Sequence, residues 1–135
     1  MREGIINIGR IVLLSLMLFI ISCSNSQNFK VYSKTFQIII SNENDVEFSV
    51  KPLSSSEFEV SINTHSVSLD FDLVEISTMY DDLGNSYKPL SWEGSEPEGH
   101  HRNGVLKFPT VNSNAKSIKL IIVDGAKREF EWGLG

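Results

Sequence analysis

Apolar residues occupy alternate positions along much of this chain, and this alternation constrains its fold more than any other feature. The pattern is clearest in residues 46–50, 58–62 and 129–132. Successive side chains of a β-strand point to opposite faces, so an apolar residue at every second position predicts a strand with one buried face. No window repeats its apolar residues with the 3.6-residue period of an amphipathic helix. We therefore expect an all-β fold.

Turn-forming residues separate the predicted strands. The clusters at residues 42–45, 54–56 and 81–85 are rich in Asn, Asp, Ser and Gly. Asp124-Gly125 lies between two strand-like runs and predicts a hairpin with a type I′ turn, in which both central residues have positive φ. Pro89 has no N–H to donate to a neighbouring strand. The strand predicted at residues 87–92 therefore belongs at a sheet edge.

The spacing of these strands predicts the architecture. Roughly seven to nine short strands, the first around Phe29 and Val31, follow one another at intervals of about 8–12 residues. This spacing is typical of an antiparallel two-sheet sandwich, and an immunoglobulin-like topology is the expected one. A small β-barrel is the alternative.

The apolar pattern changes phase at His65. Apolar residues stand at even-numbered positions from Phe58 to Ile62 and at odd-numbered positions from Val67 to Leu73. A regular strand cannot exchange its two faces without a bulge or a turn. We therefore expect His65 in an irregular break, followed by a further strand over residues 67–73.

The first 22 residues form a predicted signal peptide. Arg2 and Arg10 supply a positive segment, and an apolar run follows over residues 11–21. As a helix this run would be about 16 Å long, roughly half the thickness of a bilayer core. That length suits the apolar region of a signal peptide better than a membrane span.

Ile20-Ile21-Ser22-Cys23 closes this leader and resembles the lipobox of bacterial lipoproteins. The resemblance implies cleavage before Cys23 and attachment of acyl chains to its thiol and amino group, which would hold the protein on a membrane. Two or three acyl chains anchor stably, whereas one does so only marginally. Ser24 differs from the Asp that resembles an inner-membrane retention signal, so the outer membrane is favoured in a host with two membranes.

Cleavage there would leave 113 of the 135 residues, enough for one domain. Residues 23–28 are the predicted lipidated cysteine and polar tether, and residues 29–135 the β-sandwich domain. Cys23 is the only cysteine, so thiol catalysis, cysteine zinc sites and disulfides are excluded from the domain.

The charge balance argues against nucleic acid as a partner. Of the 12 basic and 17 acidic residues, Arg2, Arg10 and Glu3 lie in the leader, so 10 basic and 16 acidic residues remain. No basic cluster is present to follow a phosphate backbone.

The sequence holds no evident catalytic apparatus, and we do not expect an enzyme. It contains neither the Gly-x-Ser-x-Gly elbow of hydrolases nor a glycine-rich phosphate loop. Asp70 and Asp72, like Glu96 and Glu98, have the spacing that places two carboxylates on one face of a strand. A solvated strand face is the simpler interpretation of both pairs.

His65, His100 and His101 are the only histidines and form a predicted metal site. Imidazole binds copper and zinc well, and Asp70 and Asp72 are candidate additional ligands. Adjacent strand residues point to opposite faces, so His100 and His101 reach one ion only from an irregular loop. The alternative is that these imidazoles make hydrogen bonds within turns.

Three segments resemble a pattern found in small exported prokaryotic proteins. They are Asn63-Thr64-His65-Ser66 with the following residues to Leu73, Ser91-Trp92-Glu93-Gly94, and residues 99–108, GHHRNGVLKF. The resemblance implies a shared fold and a shared site containing the histidines, but no reaction. Trp92 and Arg102 are the predicted binding side chains within it. We therefore expect an envelope lipoprotein that binds a metal or an envelope protein, or one with a purely structural or protein-interaction role.

Lipidation predicts a defined mass. The protein purified from membranes should begin at Cys23 and carry the mass of its acyl chains, as measured by intact-protein and N-terminal peptide mass spectrometry. An intact Met1 or an unmodified Cys23 would contradict the lipoprotein interpretation.

Overall fold

The computed structural model describes residues 36–135. The leader, Cys23, the tether and the strand predicted at Phe29 and Val31 lie outside these residues. The described chain forms nine strands and one helical turn: β1 (Ile39–Glu43), β2 (Val46–Pro52), β3 (Glu57–Thr64), α1 (Leu73–Ile76), β4 (Ser77–Asp81), β5 (Ser86–Tyr87), β6 (Ser91–Gly94), β7 (His101–Lys107), β8 (Ser117–Val123) and β9 (Lys127–Gly133). No helix in this part of the chain is long and apolar enough to cross a bilayer.

The strands form two antiparallel sheets, which confirms the predicted sandwich. One sheet has the order β1-β2-β3-β7-β6 and the other β5-β4-β8-β9. The order β2-β3-β7-β6 opposite β5-β4-β8-β9 is the A-B-E-D opposite C′-C-F-G order of immunoglobulin domains, with β1 added beside the first strand. Because the described strands divide between two sheets, the alternative of a single closed sheet does not hold.

The apolar alternation places the core between the sheets, as predicted. Every second residue of β2 and β3 is buried, and the register pairs Val50 with Val60 and Phe48 with Ile62. From the other sheet, β9 buries Phe130 and Trp132. The Phe58 and Trp132 rings have centroids 5.5 Å apart, so aromatic contacts join the two layers.

The turns differ in type from the prediction. Asn44 and Asp45 both have positive φ, 53° and 61°, and join β1 to β2 as a two-residue primed turn. The hairpin predicted at Asp124-Gly125 is present, but the prediction of a type I′ turn there is wrong. Three residues, Asp124 to Ala126, join β8 to β9, and only Gly125 among them has a positive φ, 107°.

Three predicted elements differ in extent from the structure. Residues 67–72 form a loop instead of a strand, and Asp72 caps the short helix α1 by accepting a 2.8 Å hydrogen bond from the Val74 N–H. The strand predicted at residues 87–92 divides at Pro89 into β5 and β6, each an edge of a different sheet, which confirms the edge position. The sequence from Gly94 to Gly104, with no apolar alternation between these two glycines, predicts one irregular stretch. Only residues 95–100 are irregular, because β6 includes Gly94 and β7 begins at His101.

Arg128 joins the two sheets at one end of the sandwich. It lies on β9, is 1% exposed, and forms a bidentate pair with Asp124 through contacts of 2.9 and 3.0 Å. Its terminal nitrogens also donate to the backbone carbonyls of the β1–β2 hairpin, at Ser41, Glu43 and Val46, over 2.8–3.1 Å. All parts of the guanidinium therefore have partners, as a buried charge requires.

Substitution of Arg128 should strongly destabilise the fold. Arg128→Met leaves the buried Asp124 carboxylate without its counter-charge, and breaking a buried pair in this way costs about 3–5 kcal/mol of unfolding free energy. The adjacent Lys127 is largely exposed. The matched variant Lys127→Met should therefore change stability by no more than about 1 kcal/mol. Urea denaturation measures both, and equal stability of the two variants would contradict this role of Arg128.

Candidate functional site

The three histidines lie at the end of the sandwich that Arg128 closes. Four connections form this end: residues 44–45, 65–72, 95–100 and 124–126. We refer to it as the histidine end. The loop over residues 95–100 runs beside the segment that leaves β3, because the Thr64 N–H donates to the His100 carbonyl and the Leu69 N–H to the Gly99 carbonyl, each over 2.9 Å.

The structure brings His65 and His101 together. His65 directly follows β3, at the predicted phase break, and His101 is the first residue of β7. Their ring centroids are 6.5 Å apart, and the rings are nearly perpendicular, with 81° between their planes. Both side chains are exposed.

Asn63 orients the His101 ring. Asn63 pairs with His101 across β3 and β7, and its Oδ1 lies 2.9 Å from His101 Nδ1. With Oδ1 as acceptor, the neutral ring carries its proton on Nδ1. Its Nε2 then keeps a free lone pair, which is the form that binds a metal ion.

His100 takes a different direction from His101. Its Nδ1 lies 2.8 Å from the carbonyl oxygen of Val67, so the ring ties the 95–100 loop to the 65–72 loop. The adjacent histidines therefore diverge, as expected of neighbours at the start of a strand.

Carboxylates lie near the imidazole pair without completing a site. A pocket of about 170 Å³ beside His65 is lined in addition by Asn42, Asp45, Glu47, Asn63 and Thr64. Within residues 36–135, no three His, Cys, Asp or Glu side chains are arranged to hold a metal ion. Of the two candidate additional metal ligands, Asp72 caps α1 and Asp70 is exposed.

Arg102 lies beneath the histidine end and is 2% exposed. Its guanidinium donates to the carbonyls of Phe71 over 2.7 Å, Leu69 over 3.3 Å and Ser95 over 3.4 Å. Burial lowers the pKa of Arg102, whereas the charges of Asp72 and Glu96 raise it. Arg102 therefore connects the two loops that carry the histidines.

Trp92 packs against Arg102 and a pair of glycines. The Arg102 guanidinium carbon lies 5.7 Å from the centroid of the half-buried indole, whose Nε1 donates to the Ser95 carbonyl over 2.9 Å. Gly94 and Gly104 face each other on β6 and β7, and a Cβ at either would lie 2.8 Å from the indole. This close packing explains Trp92 and Gly94 in the SWEG segment and Gly104 in the GHHRNG segment. The binding role of Trp92 and Arg102 stays a prediction.

These contacts define the class of molecule: an immunoglobulin-like β-sandwich with an exposed imidazole pair, supported from below by a buried arginine. Comparison of the chain with protein-family models, curated proteins and solved structures finds no match.

Removal of the Arg102 guanidinium should loosen both loops. In Arg102→Met the carbonyls of Leu69, Phe71 and Ser95 lose their donor, so the Thr64 and Leu69 amides should exchange hydrogen faster. Hydrogen bonds to charged groups contribute about 1.5–3 kcal/mol, which corresponds to exchange at least about tenfold faster. Lys107→Met, at a partly exposed ion pair on the same strand, is the matched control. Unchanged exchange at both amides in Arg102→Met would contradict the connecting role.

Proposed function

We propose that this protein is a lipid-anchored envelope lipoprotein that acts as a binding or accessory module, with the histidine end as its binding surface. The leader and Cys23 support the anchor, and the absence of any other cysteine leaves imidazole and carboxylate as the metal-binding groups. The pair formed by His65 and His101 is the observation that carries the binding proposal.

The spacing of this pair suits a single transition-metal ion. An ion about 2.0–2.1 Å from one nitrogen of each imidazole places the two ring centroids about 5–6 Å apart. The observed 6.5 Å is close to that value, and both rings are exposed, so a rotation of the side chains closes the difference. A hydrogen bond from His101 Nδ1–H to Asn63 Oδ1 would leave Nε2 of this ring free to bind the ion.

The proposed ion is copper or zinc. Two imidazoles with water as the remaining ligands bind either ion, and Asp45 and Glu47, which line the pocket beside His65, could add a carboxylate. Catalytic zinc requires three protein ligands and an open position. We therefore propose metal binding without catalysis.

Metal titration tests this proposal on the soluble domain from Ser24 onward. Cu(II), Zn(II) or Ni(II) should raise the unfolding free energy by about 2.7 kcal/mol at a concentration one hundred times Kd. The double variant His65→Ala/His101→Ala should lose the effect. The matched control His100→Ala should keep it, because His100 faces Val67. Binding should also weaken as the pH falls, since protons compete with the metal for the imidazole nitrogens.

Two outcomes would overturn metal binding. One is that no metal shifts the melting temperature, and the other is that the shift survives in the double variant. Either result would favour the alternative function, a structural or protein-interaction lipoprotein.

One surface supports that alternative. On the outer face of β4, β8 and β9, a depression of about 450 Å³ is lined by the exposed Tyr80, by Ile121 and by an ion pair of 3.3 Å between Lys119 and Glu131. An aromatic centre with a charged rim is typical of protein interfaces.

A further inference from the structure

Exposed leucines are confined to the end of the sandwich opposite the histidine end. Leu53, Leu83 and Leu90 are 49%, 51% and 68% exposed. The other leucines within residues 36–135 are buried or partly buried. Each lies on a different connection: residues 53–56, 82–85 and 88–90. With residues 108–116 these connections form what we call the entry end.

The described chain begins at this same end. Phe36 lines a cavity of about 370 Å³ together with Ser55, Leu134 and residues of the 108–116 connection. Hydrogen bonds place two of the leucines there: the Leu53 N–H donates to the Glu57 carbonyl over 2.8 Å, and the Leu90 N–H to the Lys107 carbonyl over 2.7 Å. The third, Leu83, follows β4 where that strand meets the start of β8.

Charge is distributed unevenly between the two ends. The entry-end connections carry Asp82 and Lys116, which balance in charge. Lys88 belongs to the third connection, but its ammonium donates to the Ser77 carbonyl and the Thr78 hydroxyl at the start of β4, away from the entry end. The connections of the histidine end, taken with α1, carry no basic residue. Their acidic residues are Asp45, Asp70, Asp72, Glu75, Glu96 and Glu98, besides Asp124, whose charge Arg128 neutralises. An anionic membrane surface therefore repels the histidine end more strongly than the entry end.

The stretch of chain between Cys23 and Phe36 is short, which keeps the entry end close to any anchor at Cys23. Twelve residues, 24–35, lie between Cys23 and Phe36, so the chain makes thirteen residue steps between them. Even at full extension this stretch spans at most about 47 Å. A domain held this close to a bilayer meets it repeatedly, so even weak apolar contacts are populated.

We propose that the entry end rests on the lipid surface, with Leu53, Leu83 and Leu90 in the headgroup region and the histidine end directed away from the membrane. This inference rests on the lipid anchor of the proposed function. Three leucines on separate connections are too few to hold a protein on a membrane alone, but they orient one that acyl chains already hold. The imidazole pair then faces soluble ligands and partners instead of headgroups.

Fluorescence quenching from within the bilayer tests the orientation. The full lipidated protein is reconstituted in phosphatidylcholine vesicles that contain a lipid with a nitroxide on its acyl chain. Because Cys23 is the only cysteine and its thiol is acylated, a cysteine introduced elsewhere is the single labelling site. Bimane is attached to Leu53→Cys, Leu83→Cys or Leu90→Cys, and, as matched controls at the other end, to Val67→Cys or Val123→Cys, both exposed positions.

The labels at the entry end should lose most of their fluorescence, and those at the two valines should lose none. Equal quenching at both ends, or no quenching at the three leucine positions, would overturn the orientation. Flotation of the vesicles and the mass at Cys23 report the anchor separately. A floating, acylated protein without the quenching pattern contradicts only the orientation, whereas an unacylated protein that does not float contradicts the proposed function and the orientation together.

Discussion

The guanidinium of Arg128 closes one end of a sandwich that has no disulfide to close it. Its fork reaches three carbonyls of the β1–β2 hairpin from the opposite sheet and is neutralised by Asp124 beside it. The position of β1 and β2 determines where Asp45 and Glu47 lie relative to β3, and hence the pocket beside His65. The geometry of the histidine end therefore depends on this buried pair.

Arg102, like Arg128, is a buried arginine that donates to backbone carbonyls at this end of the sandwich. Loops and hairpin ends leave carbonyl groups that no strand satisfies, and a buried carbonyl without a donor is costly. A planar guanidinium carries five donors in a rigid arrangement and so serves several carbonyls at once. The two buried arginines thus hold the irregular segments on which the histidines stand, while the exposed imidazoles remain available for binding.

The strands could be predicted where local pattern and tertiary burial agree, as in β2, β3 and β9. Prediction was wrong for residues 67–73, because buried Leu69 and Leu73 imitate a strand face. In the structure the Leu69 N–H donates to the Gly99 carbonyl of a loop, and the backbone then turns into α1. It was also wrong for the start of β7. The irregular stretch expected from Gly94 to Gly104 is interrupted, because these two glycines lie on paired strands and admit the indole of Trp92. In the site, the break at His65 could be predicted, but the partner of each imidazole could not. The partner depends on the β3–β7 register, which joins residues 38 positions apart.

The sequence by itself determined the fold class and excluded thiol chemistry from the domain, because these depend on local periodicity and on residue content. For the same reason it predicted export and lipidation. Only the tertiary structure decided that His65 meets His101 while His100 turns to Val67, and that acidic and leucine-bearing connections lie at opposite ends. The physical reason is that strand pairing and sheet packing bring together residues distant in the chain. Their spacing in the sequence carries no record of the distance between them in the fold.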